Sequence, residues 1–190
     1  MNALILQGSP REGGNTEVLA NHVAKTMTQG GASVRTIRLA DLELHGCREC
    51  FACQKVQDHP GCPTKDDMPA VYDAVRDTDL IILATPVFCW GMTAQLKAAI
   101  DRFYAFCKFG VAPDGGVHSL IAGKQSALLV TAGGGPYDGA ELCVSAYRRI
   151  AEFMQLKDRG ELVEAPAGET GPARNALLAR AANFATGLVQ

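Results

Sequence analysis

Leu4-Ile5-Leu6-Gln7-Gly8-Ser9-Pro10-Arg11-Glu12-Gly13-Gly14-Asn15-Thr16 is the stretch from which the rest of the chain can be read. A short apolar run stops at a glycine, passes through a polar turn and enters a pattern in which Leu19, Val23 and Met27 recur every four residues. That spacing lays one apolar stripe along a helix. A strand that delivers a tight loop to a helix N-terminus makes an anion site, because unpaired backbone N–H groups and the positive end of the helix dipole converge there. Ser9, Asn15 and Thr16 add side-chain donors and Arg11 adds a fixed positive charge. No Gly-Lys-Ser/Thr closes the loop, so it is not a Walker loop, and its glycines do not follow the G-x-G-x-x-G dinucleotide spacing. Several hydroxyls and one arginine suit a terminal monophosphate; the plain alternative is an ordinary capped strand-to-helix turn.

Outward from this stretch the pattern alternates. Ala32–Leu39 reads as a half-exposed edge strand, and an irregular segment at about 40–63 follows with four of the seven cysteines. Thr64-x-x-Asp67 reads as a capping box for a helix bearing Met68, Val71, Tyr72 and Val75, with Asp66 and Asp67 as helix-start carboxylates rather than a catalytic pair. Leu80–Ala84 and Ser126–Thr131 are continuous apolar runs of strands buried on both faces. Helices are expected at about Thr93–Phe106 and Glu141–Phe153, a fifth strand near Glu161–Glu164, and a closing helix carrying Leu177, Ala181, Phe184 and Leu188. Strands alternating with helices imply an α/β fold: a doubly wound, five-stranded parallel sheet in the flavodoxin-like order 2-1-3-4-5, with helices on both faces. One domain over residues 1–190, with a Cys-rich insertion at about 40–63, is the expected organisation.

Composition narrows the functional classes. A formal charge of −2 gives no electrostatic reason to expect nucleic acid or an anionic membrane as partner. No apolar run reaches membrane-spanning length and no signal-type segment follows Met1, so a cytoplasmic location is expected, with the cysteines as thiols, metal ligands or redox groups.

In the order 2-1-3-4-5 the loops after Gln7, Ala84 and Thr131 all leave carboxyl ends of strands and meet where the winding reverses. The second loop offers Pro86, Val87, Phe88, Trp90 and Met92 as an apolar wall, with Gly91 permitting close backbone approach. The third follows Thr131 with Ala132, Gly133, Gly134 and Gly135, where no side chain obstructs a flat ring. A phosphate clamp, an aromatic wall and a glycine-lined slot describe a mononucleotide with a planar head, and FMN fits.

Gly8-Ser9-Pro10-Arg11 with Asn15-Thr16, then Asp66-Asp67-Met68, Thr85-Pro86-Val87 and Lys97-Ala98-Ala99-Ile100-Asp101-Arg102 make the chain resemble the NADPH-dependent FMN reductase family, and within it the iron–sulfur flavoproteins. The resemblance implies FMN, with Ser9, Arg11, Asn15 and Thr16 on the phosphate. It places Pro86, Val87, Phe88, Trp90 and Gly91 along the ribityl chain and isoalloxazine, and Thr131, Ala132, Gly133 and Gly134 along the ring. It also implies a homodimer or homotetramer in which a neighbouring subunit helps cover the flavin. Phe88 and Cys89 depart from the family pattern, which often has Tyr near the first and another residue at the second.

Cys47-x2-Cys50-x2-Cys53 followed by Cys62-Pro63 resembles bacterial ferredoxin ligation, where four thiolates surround a [4Fe–4S] cube and the last cysteine precedes proline. The final gap of eight residues is long for such a motif. A cluster, bare thiols, zinc and a redox disulfide are the competing readings, zinc fitting less well because its ligands usually pair in two separated knuckles. Cys107 and Cys143 are expected in the core on helices, Cys89 packed in the second loop, and the four histidines form no catalytic spacing. The expected function is an FMN oxidoreductase in which NAD(P)H, as diffusible donor, gives hydride to the flavin and electrons leave to a small-molecule or redox-protein acceptor, directly or through the cluster. No catalytic side chain is expected. The alternatives are a flavodoxin-type electron carrier and a quinone or azo-compound reductase without a cluster.

Overall fold

The computed structural model describes residues 1–110, 115–165 and 171–190, apart from the side chains of 171–173. Five parallel strands form the central sheet: β1 (Asn2–Gln7), β2 (Ser33–Arg38), β3 (Leu80–Pro86), β6 (Gln125–Thr131) and β7 (Lys157–Glu164), in the order β2-β1-β3-β6-β7. This is the expected doubly wound order. Two three-residue strands, β4 (Cys107–Phe109) and β5 (Val117–Ser119), form a separate antiparallel ribbon.

The central strands are buried on both faces because helices cover both. Ala3 and Ile5 of β1, with Ile82 and Leu129 of the neighbouring strands, face α1 (Asn15–Gln29) and α5 (Gly171–Val189). Leu4 and Leu6, with Ile81, Leu83, Leu128 and Val130, face α2 (Met68–Arg76), α3 (Ala94–Arg102) and α4 (Glu141–Phe153). Successive side chains of a strand point to opposite faces, so an unbroken apolar run supplies both cores. The α1 stripe of Leu19, Val23 and Met27 is fully buried.

Several local expectations are corrected. The third helix ends at Arg102, not Phe106; Phe103–Phe106 tightens into a 3₁₀ turn, and Cys107 lies on β4 rather than on a helix. Phe103, Ala105 and Phe106 are all buried, which one 3.6-residue stripe does not accommodate. The capping box at Thr64 does not form, since Asp67 is the N-cap residue of α2 and makes no side-chain cap. Its carboxylate instead accepts from the Glu43 amide at 2.8 Å. β7 begins four residues earlier than its apolar part, a charged extension an edge strand tolerates.

Candidate functional site

The winding of the parallel sheet reverses between β1 and β3, and the loops beyond the carboxyl ends of β1, β3 and β6 are held by backbone. The Gly8 amide donates to the Ala84 carbonyl, Val87 to Thr131 and Ala132 to Glu164, at 2.8, 2.8 and 2.9 Å. These bonds carry the ladder one step past the strands. Gly8 is required by close packing: a Cβ there would lie 2.7 Å from Thr93 Oγ1 and 2.8 Å from Leu96 Cβ. Thr93, which sequence reading used only as a helix start, caps α3 by accepting from the Leu96 amide and donates to the Gly8 carbonyl at 2.8 Å. Its signal was its place just before an apolar-periodic helix.

The result is a trough. One end, ≈ 260 Å³, is lined by Ser9, Arg11, Gly14, Asn15, Thr16, Pro86, Val87, Phe88, Thr131, Ala132 and Gly133. The other, ≈ 460 Å³, shares Val87, Ala132 and Gly133 and adds Cys89, Trp90, Gly134 and Asp138. Twelve of the thirteen residues expected at the cofactor line these two ends; Gly91 lines neither, and its backbone instead pairs with Phe88. Gly14, Cys89 and Asp138 are additional, and Cys89, expected to pack in its loop, is exposed. The start of α1 faces the narrower end, and Thr16 Oγ1 lies 2.7 Å from Thr131 Oγ1, joining α1 to β6. Gln7, on the α1 face of β1, is buried with neither amide atom partnered among the described residues.

At the wider end Phe88 and Gly91 exchange both backbone hydrogen bonds around Cys89 and Trp90, which have φ of 46° and 60°. Two non-glycine residues in the left-handed region cost of order 1–2 kcal/mol each. Trp90 is 67% exposed on this turn. Gly139 makes the turn's position feasible, since a Cβ there would come 2.9 Å from the Trp90 Cα. A larger concavity, ≈ 670 Å³, lies between α4 and β7. Within its lining Arg148 pairs with Glu161 at 2.6 Å and Arg149 with Glu152 at 3.2 Å, and Glu141 accepts from the Gly139 amide at 2.9 Å.

The cysteine segment forms a second site. Cys47, Cys50, Cys53 and Cys62 all line one small pocket with Arg102 and Tyr104. Among the described residues no three His, Cys, Asp or Glu side chains come close enough to hold a single metal ion. Glu49 and Phe51 have φ of 51° and 56°, so the backbone curls around Cys50; successive amides in such conformations form anion-binding concavities, including those of iron–sulfur sites. The Asp66 side chain, fully buried, pairs with Arg102 and accepts from the His45 amide at 2.9 Å. Burial works against the charged form of Asp66, but hydrogen bonds from Arg102, His45 and Met68 hold its pKa below the usual value. Burial likewise opposes ionisation of Cys62, yet hydrogen bonds from Thr64 and Arg102 leave its thiol pKa lowered. Cys107 and Cys143, as expected core thiols, are pushed up to about 11 by burial.

The comparisons with known proteins agree with this architecture. Residues 1–161 match the NADPH-dependent FMN reductase family model. An iron–sulfur flavoprotein of Methanocaldococcus jannaschii is 35% identical over 102 residues, covering 54% of this chain and 51% of its own. One of Archaeoglobus fulgidus is 31% identical over 139 residues, covering 73% of this chain and 65% of its own. The chain thus spans about half to two-thirds of the length of these curated relatives. Among solved structures, an FMN-dependent NADH-azoreductase from Bacillus anthracis in complex with FMN has TM-score 0.75 at 12% identity, over 100% of this chain and 99% of its own, a likeness of fold. The chain belongs to the NADPH-dependent FMN reductase family.

Proposed function

We propose that this chain is an FMN-dependent oxidoreductase using NAD(P)H as donor, and that Cys47, Cys50, Cys53 and Cys62 hold a [4Fe–4S] cluster as in the iron–sulfur flavoproteins it resembles. The observation that carries the flavin reading is the trough, polar and cationic at the α1 end and open between Val87 and Gly133 at the other. Ser9, Arg11, Asn15 and Thr16 bind the FMN phosphate, where the α1 amides and the arginine offset its charge. Val87 and Gly133 border the ring, and a Cβ on Gly133 would meet nothing within 4 Å. Bound FMN supplies hydride acceptance and electron release, while the chain supplies binding and orientation. The exposed Phe88 and Trp90 fit a homo-oligomer whose second subunit covers the ring.

What supports a cluster is the spacing of the four thiols in the sequence and the one pocket they share. A zinc ion needs four sulfurs each about 2.3 Å from one point, and the described side chains offer no such convergence. The pocket measures ≈ 30 Å³, and no hydrogen bond among the described residues ties the exposed irregular segment 47–50 to the core. Oxygen-free purification followed by absorption spectroscopy, FMN release and iron and sulfide analysis tests both parts. Flavin with about four irons per chain is the expected result. Flavin without iron removes the cluster and leaves a simple reductase; a trough that fails to bind FMN removes the reading altogether. Turnover unchanged by Cys50→Ser would favour a quinone or azo-compound reductase needing no cluster.

A further inference from the structure

Two buried cations lie against the cysteine segment: Arg102 lines the pocket that the four thiols share, and Lys108 is bound to the Cys53 carbonyl. Arg102 is 2% exposed and Lys108 is wholly buried. Arg102 pairs with Asp66, donates to the His45 carbonyl and places Nη2 3.4 Å from Cys62 Sγ. Its Nε, also buried, has no partner among the described residues. Lys108 Nζ donates to the carbonyls of Cys53 and His59, both at 2.9 Å, and no described carboxylate lies within ion-pair distance of it. Its neighbour Asp58 is 90% exposed and pairs with His59.

Carbonyl dipoles satisfy the ammonium's hydrogen bonds without cancelling its charge. Burying an unneutralised charge costs several kcal/mol after all relaxation. The fold nonetheless presses Lys108 against the carbonyl of one of the four cysteines, with a donor left over on Arg102. Among the described residues the buried donors exceed their acceptors, and the buried cations Arg102 and Lys108 face one buried carboxylate, Asp66, an arrangement completed by an anion on the thiol side. A [4Fe–4S] group with four thiolates is a dianion when oxidised and a trianion when reduced. Fixed positive charge close to it favours the reduced form more strongly, and net charge and hydrogen bonding at the sulfurs are what set such potentials.

We propose that Lys108 and Arg102 form a cationic floor for the cluster, and that Lys108 is a positioning residue that raises the cluster's reduction potential. This rests on the reading of the four thiols as cluster ligands. The decisive variant is Lys108→Gln, which keeps a donor but not the charge. Holoprotein purified without oxygen is titrated by redox potentiometry, with the flavin in the same sample as control. The expected result is at least a tenfold fall in the reduced-to-oxidised ratio of the cluster at fixed ambient potential, about 59 mV for a one-electron couple, with the flavin unmoved. A cluster potential equal to that of the unaltered protein overturns the proposal.

Should Lys108→Gln retain no iron, urea unfolding of the iron-free proteins decides instead. An iron-free Lys108→Gln chain more stable than the iron-free parent supports an unbalanced charge, whereas one equally or less stable overturns it. Absence of iron from the unaltered protein is a separate failure, that of the cluster reading, and takes this proposal with it.

Discussion

The flavin trough and the cysteine pocket are built in opposite ways. The trough hangs from strand ends, and backbone bonds from Gly8, Val87 and Ala132 continue the sheet's own ladder into its loops. The cysteine segment has no strand, only the single turns Leu39–Asp41 and Ala52–Lys55. It is held at separate points by side chains from elsewhere: Asp67, Asp66, Arg102 and Lys108. A ladder spreads a local loss over many bonds. Point attachments do not, so each one matters more to the segment it holds.

The sharpest way to break this contrast is Arg102→Met. It leaves the Asp66 carboxylate buried without its counter-charge, and removing one partner of a buried pair costs about 3–5 kcal/mol. Urea unfolding should register that loss, and trypsin should cut the native variant faster at Arg48 and Lys55. A loss under about 1 kcal/mol, the range of surface ion pairs, would mean that the segment is held by something else.

Gly8→Ala tests the trough side. The new Cβ meets Thr93 Oγ1 and Leu96 Cβ at under 3 Å, and overpacking of this kind costs about 1–3 kcal/mol. Because the displaced loop carries Ser9 and Arg11, FMN affinity measured by fluorescence quenching should fall together with stability. Unaltered affinity would detach the phosphate loop from α3. Thr131→Val is smaller: it removes the partner of the Thr16 hydroxyl at the junction of α1 and β6. A cost of about 1 kcal/mol is expected, with a modest rise in the FMN dissociation constant.

The same difference explains what could be read from the sequence. Sheet order and the three convergent loops follow from local patterns, namely apolar runs ending in glycine or proline and leading into helical periodicity. The trough was legible for that reason, although Thr93 and Gly139, which set its shape through distant packing, were not. The four cysteines were visible as a spacing, but what holds them was not. Lys108 reaches Cys53 across 55 positions and Arg102 reaches Asp66 across 36, and no local pattern marks either. Asp66 and Asp67 read as helix-start carboxylates because Thr64-x-x-Asp67 has the spacing of a capping box. In the fold the amides of Glu43 and His45 compete for those carboxylates, although Asp66 also accepts from Met68 at the start of α2, at 3.2 Å. Three-residue strands such as β4 and β5 are too short to show a period.

The smallest effect carries the most information, because its sign is fixed by how the segment is attached. The pKa of Asp66 in the folded chain is lowered from 3.8. Its contribution to stability is therefore fully present above that value and is lost as pH falls through the lower folded pKa. Stability at neutral pH should not respond to this group, and the loss should begin only on acidification below about pH 4. In Arg102→Met the sign inverts. A carboxyl buried without its cation has a raised pKa, so the folded form then prefers the protonated group and acidification relieves the penalty instead of adding one. Urea midpoints of the two proteins, measured from pH 7 downward, should converge as the pH falls. Parallel curves would show that Asp66 gains its charge stabilisation from the backbone amides alone, and the cysteine segment would then be held by a backbone network after all, like the trough.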